Sequence, residues 1–238
     1  MYLTRFRVNT ARREAKRLFG SPHRVHGAVN MAFPELPSQD GHRPRVLWRL
    51  DRDHPAHTHL FIVSPSRPDL NHLVDQAGWP DADGQGWSTF GYADFLAALA
   101  EGDTWAFRLT ANPIHHIRRE GDPVGTPTKR TAHVTPAHQM RWLLQRQEAC
   151  GFEIVRKPTD KGVTEEGDAY ELVVRDHNRL QFGKSLSPDG KDDVRFVRAT
   201  FEGRLRITDL PSFHRTLTHG LGKQKAYGCG LMTLAPVR

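Results

Sequence analysis

Residues 2 to 8 alternate in character, with Tyr2, Thr4, Phe6 and Val8 on one side and Arg5 and Arg7 on the other. That period-two pattern predicts a strand. A basic turn is expected next. Ser21 and Pro22 then supply an N-cap residue and a proline suited to the first helical position. Val25, Ala28, Val29 and Ala32 share one helical face, so a short helix is predicted over 22–33. Two strands follow, at 45–50 and 58–63. Pro68-Asp69 opens an amphipathic helix on which Leu70, Leu73, Val74 and Ala77 fall at helical spacing, with Gly78 as its stop. A fourth strand is expected at 87–92. The order is βαββαβ, the ferredoxin-like split unit.

The second half repeats that order with longer insertions. The alternating TWAFRLT at 104–110 predicts a strand ended by Asn112-Pro113, and the polar, basic stretch 114–134 reads as a surface loop. Thr135-Pro136 caps a helix carrying Met140, Leu143, Leu144 and Gln147, stopped by Gly151. Strands are expected at 152–156, 169–175, 179–186 and 194–208, with Ser187 to Gly190 turning a hairpin before the last. Asp209 and Pro211 cap a final helix bearing Phe213 and Leu217, and 231–234 would be the closing strand. The expectation is therefore an α+β protein of two tandem ferredoxin-like (RRM-like) βαββαβ domains, residues 1–98 and 99–238. No sequence repeat supports the duplication, which rests on element order.

Charge changes the picture more than composition does. Thirty-four Lys and Arg against 27 Asp and Glu give a formal charge of +7, with 14 histidines beside them. That balance favours a polyanionic partner such as nucleic acid, because neutralised phosphates release counterions. No apolar run is long enough to span a membrane, and MYLTRFRVNT lacks the apolar core of a signal peptide. Cys150 and Cys229 match no zinc or redox spacing, so a reduced, cytoplasmic protein is expected.

The glycine segment Gly220-Leu-Gly222-Lys223-Gln-Lys225-Ala-Tyr227-Gly228-Cys-Gly230 lies between a helix and a strand. Glycine lets a phosphate approach the backbone, turn amides form anion-binding concavities, and the lysines add charge. The plain alternative is a flexible, tightly packed turn. It is neither a Walker loop nor a dinucleotide fingerprint. His23, His26 and Asn30 project from the first helix opposite its apolar face. A histidine near its ordinary pKa of ~6.5 can move protons at neutral pH. RNA cleavage by its own 2′-OH needs such a base, an acid for the leaving 5′-oxygen and positive charge at the phosphate. Two solvent-facing histidines without a role are the alternative. Histidines 54, 57 and 59, the pair 115 and 116, and 133 with 138 have no zinc-site spacing, so neither a metal nor another cofactor is expected. Basic residues gather in the second half: Arg118, Arg119, Lys129 and Arg130, then Lys184, Lys191, Arg195, Arg198, Arg204 and Arg206. Such a track suits an A-form hairpin.

Taken together, MYLTRF, SPHRVHG leading to Phe33-Pro34, FRLTANP at 107–113, Lys129-Arg130, TFEGRLRI at 200–207 and the terminal GLGKQKAYGCGLMTLAP resemble one family. The chain is similar nearly end to end to the CRISPR-associated repeat-processing endoribonucleases of the CasE family of type I-E systems. The resemblance implies tandem ferredoxin-like domains and metal-independent cleavage at the base of a repeat stem-loop, giving 2′,3′-cyclic phosphate and 5′-hydroxyl ends. It also implies retention of the guide RNA beside other Cascade subunits. The family's catalytic histidine maps onto His26, and a tyrosine frequent three residues earlier is replaced by His23. His23 is expected to share the proton transfer, or to position the scissile phosphate. Lys129, Arg130, Lys184, Arg195, Arg198, Lys223, Lys225 and the four glycines Gly220, Gly222, Gly228 and Gly230 are the expected RNA contacts. A subunit that binds the repeat hairpin without cutting it is the alternative.

Overall fold

The computed structural model describes residues 1–35, 43–53, 57–79, 86–117, 129–158, 169–183 and 193–237, with the side chains at 116, 117, 129 and 130 left aside. Its first sheet contains β1 (Tyr2–Val8), β2 (Leu47–Arg52), β3 (Thr58–Ser64) and β4 (Trp87–Gly91) in the order β2-β3-β1-β4, every pair antiparallel. That is the ferredoxin-like order. Three helices accompany it: α1 (Arg13–Phe19), α2 (Pro22–Asn30) and α3 (Asn71–Ala77). Alternation decides which side chains meet them. Phe6, Val8, Trp48, Leu60 and Ile62 join Phe19, Val25, Val29, Leu70 and Leu73 in one core. Their neighbours Leu47 and Val63 are buried in the other core, with the second sheet.

A short helix, α4 (Tyr92–Ala97), separates the two sheets along the chain. The second is β5 (Thr104–Ala111), β8 (Phe152–Ile154), β9 (Leu172–Gly183), β10 (Asp193–Ile207) and β11 (Met232–Pro236), introduced with their numbers along the chain. Its order is β11-β5-β10-β8, again ferredoxin-like, and β9 pairs with β10 along residues 193–203. Between β5 and β8 lie a two-stranded antiparallel pair, β6 (Ile114–Ile117) and β7 (Lys129–Ala132), and the helix α5 (Pro136–Leu144). Helix α6 (Leu210–His219) precedes β11, capped by Asp209, whose carboxylate accepts from the Ser212 N–H at 2.8 Å. Trp142, Leu143, Phe152, Phe201, Phe213 and Leu217 fill this core.

Four sequence expectations change. The basic turn after β1 contains α1, and the helix expected over 22–33 ends at Asn30. The loop expected at 114–134 contains the paired strands β6 and β7. Strands expected separately at 169–175 and 179–186 are one strand, β9, bent where Asp176 takes φ +50° and the register with β10 shifts. The turn expected at 187–190 lies outside the described residues. Among the described residues no helix is long and apolar enough to cross a membrane.

Candidate active site

Helix α2 begins with Pro22, whose fixed φ suits a first turn and whose missing N–H costs nothing there. Val25, Ala28 and Val29 are buried, so the three- and four-residue steps carry His26 and Asn30 together to the opposite side. The Asn30 amide nitrogen lies 3.3 Å from His26 Nε2.

What faces them is the glycine segment. It leaves α6 at Gly220, makes a single 3-10 turn at Lys225–Tyr227 and is tied to the second sheet where Gly230 N–H donates to Thr110 O at 2.7 Å. Gly228 shows why a side chain is excluded. Its φ is +80°, and a Cβ there would come within 2.6 Å of the Trp48 indole. Gly220 meets Leu47 in the same way, at 2.8 Å. The segment therefore stands on β2 of the first sheet, with its lysines beside α2.

The result is a cavity of about 350 Å³ lined by His26, Asn30, Arg45, Trp48, Lys223 and Lys225, with Gly222 and Gln224. Histidine and lysines come from opposite ends of the sequence. Burial, and then the charge of His23, hold the His26 imidazole below its usual pKa, so its neutral, proton-accepting form prevails at pH 7. Burial, and then the charges of Arg45 and Lys223, also lower Lys225. Three cations around a neutral imidazole suit an anion with a proton to give up.

Tyr227 was not foreseen. Its ring meets the His26 ring edge-on at 6.3 Å and packs against Phe182 and Phe196, 5.0 and 6.1 Å away on β9 and β10. The tyrosine within the glycine segment was visible, but no sequence signal brings position 227 to position 26.

The remaining expected residues are spread out. His23 is half-buried one turn before His26 and does not line the cavity. Gly220, Gly228 and Gly230 also lie off its lining, packed on Leu47, Trp48 and Leu221. Arg198 lines a different cavity, with Asp51, Asp53 and Arg108, and exposed Arg195 lies 3.5 Å from Asp193. Lys129 and Arg130 sit on β7 opposite Ile117 and His116, their side chains outside the description. Arg118, Arg119, Lys184, Lys191 and His54 lie outside the described residues. Arg204 and Arg206 are paired with Glu171 and Glu153 at 3.2 and 3.4 Å, at the far end of β10, so they read as surface charge. His115, His133 and His138 stack ring on ring, at 4.2 and 5.9 Å. Among the described residues no group of three His, Cys, Asp or Glu side chains has metal-binding geometry.

Comparison with known proteins adds four findings. The family model described as CRISPR associated protein matches residues 1–236. The CRISPR-associated endoribonuclease Cse3 of Thermus thermophilus is 30% identical over 237 residues, 99% of this chain and 100% of that protein. The CRISPR system Cascade subunit CasE of Escherichia coli is 30% identical over 136 residues, 55% of this chain and 57% of that one. Among solved structures, Thermus thermophilus Cse3 bound to an RNA representing a pre-cleavage complex superposes with TM-score 0.72 at 26% identity, covering 99% of this chain and 98% of that chain.

Proposed function

This chain belongs to the CRISPR-associated protein family, and on that premise we propose that it is an endoribonuclease that cuts CRISPR precursor transcripts at the base of the repeat stem-loop. One observation carries the reading. His26 on α2 and the cations Arg45, Lys223 and Lys225 line a single cavity. Neutral His26 takes the proton of a ribose 2′-OH, whose oxygen attacks the adjacent phosphorus. The bond from phosphorus to the 5′-oxygen breaks, leaving a 2′,3′-cyclic phosphate on one fragment and a 5′-hydroxyl on the other. His23, one turn earlier on α2, is the proposed proton source for the leaving oxygen. Arg45, Lys223 and Lys225 stabilise the negative charge that grows on the phosphoryl oxygens. The nucleophile belongs to the substrate, so the scheme requires no metal-bound water. The Tyr227 ring, held by Phe182 and Phe196, keeps the imidazole in place.

The basic residues further off, Arg195 and Arg198 with Lys129, Arg130 and Lys184, are proposed to follow the stem. The protein is further proposed to keep its processed RNA and, by analogy with the Cascade subunit CasE, to join other Cascade subunits. We also propose the cytoplasm as its compartment, since both cysteines are free, and a domain boundary at 98/99, within the stretch between β4 and β5.

Single-turnover cleavage of a cognate repeat hairpin in EDTA tests the reading. Wild type should cut, and His26→Ala should lose about 10²- to 10⁴-fold in rate while keeping hairpin affinity, because the histidine acts in the transition state. Unchanged cleavage in that variant would sink the assignment. Only one imidazole lines the cavity among the described residues, which favours a second reading: a subunit that holds the hairpin uncut. Binding without cleavage in the wild type would establish it.

A further inference from the structure

The cavity beside His26 shares a wall with another. A second cavity, of about 340 Å³, is bounded by the end of α5, the turn Glu148–Cys150 and α6, and has Arg45, Gly222 and Lys225 in common with the first. Arg146, Arg215 and His219 are its own. Arg146 is half-buried and fixed: it donates to Trp142 O at 2.8 Å and its guanidinium lies 4.4 Å over the Trp142 ring. Arg215 stands exposed on α6. Among the described residues that line the two cavities there is no carboxylate.

Burial of cations is unfavourable unless an anion compensates it. Here burial lowers both Arg146 and Lys225, and Arg45 and Lys223 lower Lys225 further. The cations also run in sequence around Gly222, from Lys223 through Lys225 and Arg45 to Arg146 and Arg215. A single isolated anion would engage one end of that series. A polynucleotide strand, whose phosphates repeat along one path, engages both. The second space is a concavity of one-nucleotide scale, which an A-form helix cannot enter and an unpaired strand can.

We propose that this second cavity is a phosphate subsite for the unpaired RNA flanking the repeat hairpin, with Arg146 and Arg215 as its own ligands and Arg45 and Lys225 shared with the cleavage cavity. The proposal rests on the endoribonuclease reading for the identity of the strand. It goes beyond that reading by giving the protein a grip on RNA next to the scissile phosphate and outside the stem.

The test is equilibrium binding to RNAs that carry a 2′-deoxy nucleotide at the scissile position and so lack the attacking hydroxyl, which keeps cleavage out of the measurement even if the assignment of His26 fails. Two RNAs are compared, the bare stem-loop and the same stem-loop with its unpaired flanks. Arg215→Gln and Arg146→Gln should each weaken the flanked RNA about tenfold, the loss of one charge-assisted contact. Each should also make its log Kd against log salt shallower by ~0.7. The bare stem-loop should bind as before, which also certifies the fold. If Arg146→Gln lowers the melting temperature, Arg215→Gln carries the decision. Equal weakening of both RNAs would assign these cations to the stem and overturn the subsite. Unchanged binding of the flanked RNA would overturn it as well, and a protein that bound neither RNA would overturn the endoribonuclease reading with it.

Discussion

His26 is a base whose environment has been adjusted by its neighbours. Burial first, and the positive charge of His23 second, disfavour its protonated form, so its folded pKa lies below the ordinary ~6.5. The neutral form therefore persists as pH falls through 6.5, and the single-turnover rate should decline only below that point. His23→Asn removes the second cause, so the acid limb should move to higher pH. It also removes the proposed acid, so the plateau should fall about 10²-fold. A shifted limb with an unchanged plateau would reduce His23 to a residue that tunes His26 by charge. Tyr227 is tested by two variants. Tyr227→Phe keeps the edge-on contact with His26 and the packing on Phe182 and Phe196, and should cleave at close to the wild-type rate. Tyr227→Ala opens the site to water, and should lower the rate about tenfold and move the acid limb upward. Equal losses in both would transfer the role to the hydroxyl. The histidines could be selected from sequence because helical spacing alone separates them from the buried face of α2. Tyr227 could not, since its partner is 201 positions away and is reached only through the folding of two sheets.

The glycine segment, taken as one element, divides its labour. Its lysines reach the cavity, while two of its four glycines, Gly220 and Gly228, let the chain turn against β2. Gly228→Ala would force a Cβ to within 2.6 Å of the Trp48 ring at φ +80°. It should cost about 2–4 kcal/mol of stability in urea denaturation, from strain and overpacking together. Gly222→Ala meets Trp142 only at 3.4 Å, although its φ is +87°, and should cost about 1 kcal/mol. Equal losses at the two positions would mean that backbone strain alone decides. Sequence reading credited all the glycines with binding, because glycine spacing looks alike whether the approaching group is a phosphate or an indole. Other elements were legible in proportion to their apolar periodicity. α3 with Leu70 and Leu73 and the alternating β1 stood out, whereas α1 buries only Ala15 and Phe19 among charged neighbours and passed for a turn. β6 and β7 are four residues each, too short for a period to register.

At the scale of the whole molecule, the site exists because two ferredoxin-like units are held in one orientation, and Arg49 on β2 is the polar part of that hold. Alternation puts Arg49 on the Leu47 face of β2, toward the second sheet, and it is 1% exposed there. It donates from Nε and Nη2 to both carboxylate oxygens of Asp51, at 2.7 and 2.9 Å. It then crosses to the second sheet, donating to Arg108 O at 2.7 Å, Leu231 O at 3.2 Å and Thr233 Oγ1 at 2.7 Å. Burial by itself would raise the Asp51 pKa, but hydrogen bonds and charge from Arg49 and Arg108 outweigh it and hold the carboxyl below its usual 3.8. Arg49→Met leaves that carboxylate with Arg108 alone and three further acceptors, Arg108 O, Leu231 O and Thr233 Oγ1, without this donor. It should cost about 3–5 kcal/mol at pH 7, read as a lower urea midpoint. A group with a depressed folded pKa stabilises above its unfolded pKa and loses that contribution as pH falls through the folded one. The gap between wild type and Arg49→Met should therefore be constant from pH 5 to 8 and narrow below 3.8. The same variant should slow cleavage, because His26 comes from one unit and Lys223 and Lys225 from the other, and a loosened seam misaligns them before either unit unfolds. Equal midpoints at pH 7 would mean that Leu47 and Val63, packed into the second core, hold the units together without the arginine.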